Sequence, residues 1–149
     1  MLDIECVFDE NTDLSGLDLG HLRITNDGKE IINSIDLGNS GEMMIFLSLP
    51  LLLYGLESLL RGKSKEFEFI GVDSSKFIIE FKIDEKRYIK VFYQKEMVFC
   101  GEIKRVVSEF YFACKSTWDK YSRILPEDDM CRDDIELYLT RLYSVLKSS

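Results

Sequence analysis

A single histidine and four cysteines with no CxxC pair leave this chain short of the residues that build zinc and thiol-redox centres. Cys6, Cys100, Cys114 and Cys131 stand far apart, and Met1 is followed at once by Asp3 and Glu5 rather than by a basic region and an apolar leader core. The expectation is a cytoplasmic protein whose cysteines are free thiols, used as small core residues. Bases are the scarcer charge, 19 against 27 acids, for a net charge of −8 and an isoelectric point near 4.7. That balance argues against direct binding to nucleic acid or to an anionic membrane and favours a basic partner. Gly-rich phosphate loops, the Walker pattern, HExxH and GxSxG are all missing. No nucleophile, base, cofactor or metal ligand can be named, so the chain is expected to be non-catalytic. The one long apolar run, 43–60, has about the 18 residues of a membrane span but is interrupted by Ser48, Pro50, Gly55, Glu57 and Ser58.

What is present reads as one α+β domain of 149 residues, enough for a core without staples. Ile4, Cys6 and Phe8 alternate within a first strand, Leu2 to Phe8. His21 to Thr25 and Lys29 to Ile35 flank Asn26-Asp27-Gly28, the strongest hairpin signal in the chain. Glu42 to Leu47 reads as a buried strand. It runs into a buried helix with Ser48 as N-cap, Pro50 in the first turn, leucines at helical spacing and Gly62 as the terminating glycine. Beyond the basic linker 63–65, Glu66 to Ile70, Lys76 to Ile83, Arg87 to Tyr93 and Glu96 to Cys100 are joined by short connections, the mark of an antiparallel meander. Phe67, Phe69, Phe77, Ile79, Phe81 and Ile83 face its core side. From Gly101 the period becomes 3.6: Ile103, Val106, Val107, Phe110, Cys114, Trp118 and Tyr121 form one stripe, ending before Pro126. A last helix, capped by Asp128 or Asp129, carries Ile135, Leu139, Leu142 and Leu146. The predicted fold is an antiparallel sheet of about five to seven strands packed against one central helix and two C-terminal helices.

The candidate binding residues fall into three groups. Asp9, Glu10, Asp13 and Asp18 lie in DENTDLSGLDLG, which lacks the order and the closing glutamate of an EF-hand loop and reads first as a solvated acidic loop. Glu127, Asp128, Asp129, Asp133 and Asp134 complement a helix N-terminus but outnumber what a cap requires. On the third meander strand either Ile89, Val91 and Tyr93 or Tyr88 and Phe92 can point inward, and either choice leaves apolar surface outside; Tyr88, Lys90 and Phe92, facing out, could anchor a partner unless a helix covers them. His21, beside Arg23, reads as a surface histidine with no nucleophile placed next to it.

In the order strand, NDG hairpin, SLPLLLYGLESLLRG, FIGVDSSKFIIEFKI and a terminal helix pair, the chain resembles the small acidic immunity proteins encoded beside bacterial contact-dependent growth-inhibition and related polymorphic toxins. The resemblance implies a cytosolic protein that binds and blocks one toxin domain, often a basic nuclease. It brings no catalytic residue, because those proteins share no catalytic motif. A small non-catalytic binding or regulatory module and an enzyme without a recognisable motif are the alternatives the residues leave open.

Overall fold

The computed structural model describes residues 1–8 and 13–148, and the fold is mixed α+β with antiparallel sheets. Strands β1 (Leu2–Phe8), β2 (Leu19–Asn26) and β3 (Lys29–Asn33) lie side by side in that order, and β4 (Met43–Met44) pairs with the start of β2. Register sets Ile4 opposite Ile24 and Cys6 opposite Leu22 on the core face. Asn26 pairs with Lys29, so the β2–β3 turn has only two central residues. Asp27 (φ 51°) and Gly28 (φ 83°) both take the left-handed conformation that a two-residue hairpin of matching twist requires. The free edge of β1 is closed by a helix, α2 (Ile103–Tyr121): the Thr117 hydroxyl donates to the Ile4 carbonyl at 3.0 Å and the Tyr121 hydroxyl to that of Cys6 at 3.2 Å.

After a 3₁₀ segment, Ser34–Gly41, the expected strand from Glu42 to Leu47 is reduced to β4, and helix α1 begins at Ile45 and runs to Leu60. Ile45, Phe46 and Leu47 are apolar on every side, so the helix gains by starting three residues early and burying Ile45 and Phe46 completely. Ser48 is therefore not the N-cap. Its hydroxyl donates to the Met44 carbonyl at 2.8 Å and accepts from the Val72 N–H at 2.9 Å, tying α1 to the loop after the next strand. Pro50 consequently falls in the second turn, where it denies the Phe46 carbonyl its helical partner. The helix ends as expected. Gly62 (φ 78°) donates to Leu59 and Lys63 to Ser58, the paired bonds of a Schellman stop.

The remaining strands, β5 (Glu66–Ile70), β6 (Ile78–Ile83), β7 (Tyr88–Tyr93) and β8 (Glu96–Glu102), form a four-stranded meander in chain order. The eight strands thus divide between two sheets, because the chain leaves β4 for α1 before a longer ladder can form and starts a new one after Gly62. α1 crosses β5 so closely at Gly55 that a Cβ there would stand 2.1 Å from the Phe67 ring. The sheets are stitched by Tyr93, whose hydroxyl donates to the Asn33 carbonyl at 3.0 Å. α2 and α3 (Arg132–Ser148) complete the core with the stripes expected of them. Glu57, the one acid in α1, is buried against α3, where Arg141 donates to it through Nε (3.1 Å) and Nη2 (2.9 Å).

Candidate partner-binding surface

The loop that carries Asp13 and Asp18 and the acidic stretch 127–134, far apart in sequence, meet through one carboxylate. Asp129 Oδ2 accepts the Gly16 N–H at 2.8 Å, a contact spanning 113 residues. Asp129 Oδ1 accepts the Cys131 N–H at 3.1 Å. Gly16 permits this approach, since a Cβ there would lie 2.2 Å from Asp129 Oδ1 and 2.7 Å from the Cys131 sulfur. Its loop is held by Asp18, which accepts the Ser15 N–H at 2.8 Å. Burial raises the pKa of Asp129, but hydrogen bonds from the Cys131 thiol and from the Cys131 and Gly16 amides, with nearby Arg132, outweigh it and leave the carboxyl below its ordinary range. Burial first, and then the same carboxylate, push the Cys131 thiol up to about 12.

Asp129 is therefore a latch. The last helix begins at Arg132 rather than at Asp128 or Asp129, because 126–131 form turns of their own, with Asp129 N–H on the Pro126 carbonyl. Asp133 and Asp134 occupy its first turn and complement its dipole. Asp13, Glu127, Asp128, Asp133 and Asp134 are exposed and make no ion pair among the described residues. Asp9 and Glu10 lie outside the described residues. Arg132, the base within this stretch, is turned inward: its guanidinium donates to the carbonyls of Ser122, Leu125 and Pro126, each at 2.6 Å. Beside the latch stand two exposed apolar side chains that sequence reading passed over, Leu17 (47%) and Met130 (69%). The available signal was an apolar residue set inside each acidic run.

The third group sits elsewhere. Ile89, Val91 and Tyr93 point into the core, and no helix covers the opposite set: Tyr88 is 49% exposed, Lys90 is exposed and Phe92 half-buried. In register across this face run Lys82, Lys90 and Cys100, then Glu80, Phe92 and Met97. The Lys82 ammonium lies 5.6 Å from the Phe92 ring centre.

His21 is not a plain surface histidine. Its Nδ1 lies 2.9 Å from Ser34 Oγ and its Nε2 3.9 Å from a Glu42 oxygen, a serine–histidine–glutamate series that sequence distance concealed. Ser34 Oγ also accepts the Leu22 N–H at 2.8 Å. Ser34 is completely buried, and no substrate can reach its oxygen. All four cysteines are free, and burial pushes the thiols of Cys6 and Cys114 up to about 12, which keeps them protonated at neutral pH. Among the described residues, no group of histidine, cysteine and acidic side chains is arranged to hold a metal, and no helix is long and apolar enough to cross a membrane. No protein-family model matches the chain, and no curated protein or solved structure matches it.

Proposed function

We propose that the protein is an immunity protein of a bacterial contact-dependent growth-inhibition or related polymorphic toxin system. On this reading it is a non-catalytic cytoplasmic inhibitor that binds a cognate toxin domain, a basic nuclease, and blocks its active site or substrate surface. The observation that carries the reading is the Gly16–Asp129 contact, which brings the loop of Asp13 and Asp18 against the acidic stretch 127–134, with Leu17 and Met130 exposed beside it. A nuclease holds the phosphates of its substrate with lysine and arginine, and carboxylates presented on a folded surface offer those side chains a rival partner. The net charge of −8 steers the encounter. Apolar side chains beside the charges supply contacts that slow dissociation.

The test is direct. A toxin domain encoded by the reading frame immediately upstream should kill when expressed alone and spare cells that also make this protein, and the purified pair should bind one to one with an affinity that falls as salt rises. An unrelated metabolic gene at that position, together with no binding and no protection, overturns the reading. A binding module for a different kind of partner is the second reading. It is favoured by exposed Tyr88 and half-buried Phe92 on the outer face of the second sheet.

A further inference from the structure

Between α2 and α3 lies a groove of about 400 Å³. Its walls are regular: Tyr111, Lys115 and Trp118 recur at i, i+4 and i+7 on α2, and Glu136, Thr140 and Tyr143 do so on α3. The helices run antiparallel, since Tyr111 stacks on Tyr143 at one end (5.6 Å between ring centres) while Arg132 lies over Trp118 at the other (5.6 Å). This helix pair already seats cations of its own on aromatic rings, among them Arg132 on Trp118 and Lys147 on Tyr143 (5.3 Å). Lys115 is paired with Asp119. Glu136 is exposed and makes no ion pair among the described residues, and Asp133 precedes it by three positions on the same helical face. The groove therefore combines an aromatic floor with an uncompensated carboxylate on its wall.

The geometry points to this groove as the receptor for an arginine side chain carried by a basic segment of the partner, with the guanidinium on the Glu136 carboxylate at the Trp118 end and the segment entering from the Tyr111–Tyr143 end. Arginine suits the site better than lysine because its planar, weakly hydrated fork pairs with a carboxylate through two N–H groups at once. The assignment rests on the reading of the protein as a binder of a basic toxin domain, and it names the feature of that partner which α2 and α3 recognise.

Trp118 is the only tryptophan in the chain and lines the groove, so its emission reports on occupancy there. Titration of the full chain with an acetylated, amidated hexa-arginine peptide should produce a saturable change in that emission. Glu136→Gln should weaken it at least ~5-fold and Thr140→Arg at least ~10-fold, while the exposed loop pair Asp73→Asn/Glu85→Gln should change it less than ~2-fold. Both groove substitutions are at exposed positions and leave the core untouched. Absence of a saturable change, an equal response to hexa-lysine, or a loop-pair effect as large as that of Glu136→Gln would overturn the assignment. No toxin enters this titration. A toxin domain that fails to bind the wild-type chain therefore defeats the inhibitor reading alone, and one that binds Thr140→Arg as tightly as wild type defeats the groove alone.

Discussion

The outer face of β5–β8 and the Gly16–Asp129 junction both present apolar side chains among charges, yet they are built in opposite ways. The sheet face comes from consecutive strands, each side chain aimed by the pleat and each strand held by its neighbours, so Tyr88, Lys90 and Phe92 have fixed directions. The junction comes from two loops held together by one carboxylate, whose Oδ2 accepts from Gly16 in one loop while its Oδ1 accepts from Cys131 in its own. A rigid, mixed-charge face suits an anchor that governs dissociation, whereas a cluster of exposed acids suits steering, which governs association.

The two surfaces share one core, and the largest expected effect removes both. Leu53→Ala or Leu56→Ala, at completely buried positions of α1, should cost about 2–5 kcal/mol in urea denaturation. A loss of only a few tenths would mean that α1 is not the centre of the fold. Gly16→Ala separates the surfaces: forcing a Cβ against Asp129 and Cys131 should cost about 1–3 kcal/mol. Tyr88→Ala should stay within about 0.5 kcal/mol of wild type. Equal melting temperatures for the two variants would remove the latch from the description. In binding kinetics, replacing Glu127, Asp128, Asp133 and Asp134 by their amides should slow association about 10-fold and flatten its salt dependence. Phe92→Ala should leave association unchanged, and a faster dissociation would move the anchor to the sheet.

A smaller effect concerns pH. The Asp129 carboxyl is depressed in the folded chain, so its contribution is complete above the ordinary carboxylate pKa of about 4 and is lost as pH falls through the lower folded value. Asp129→Ala should therefore lose less stability than wild type across that acid window, as read from urea midpoints; parallel midpoint curves would refute the latch. The smallest effect lies in the β7–β8 turn, where Gln94 (φ 51°) and Lys95 (φ 66°) adopt left-handed conformations without glycine. Lys95→Gly should relieve strain of about 1–2 kcal/mol and cost about 0.5–1 kcal/mol in chain entropy, for a net gain of up to about 1.5 kcal/mol.

Those two turns mark the boundary between what the sequence by itself determined and what it did not. Asp27-Gly28 announces its left-handed backbone chemically; Gln94-Lys95 takes the same conformation only because the flanking strands force it. Period-two and period-3.6 patterns were enough for the four meander strands, the inward faces of the first two and both C-terminal helix stripes, since burial of one face is a local requirement repeated along each element. The acids and the Tyr88–Phe92 group were legible as residues for the same reason. Tertiary structure alone decided the start of α1 at Ile45, because an apolar run satisfies strand and helix equally until its neighbours are known. It alone divided the strands between two sheets and set Ser34 beside His21. It alone joined Gly16 to Asp129, since nothing local in either loop encodes a hydrogen bond to a partner 113 residues away.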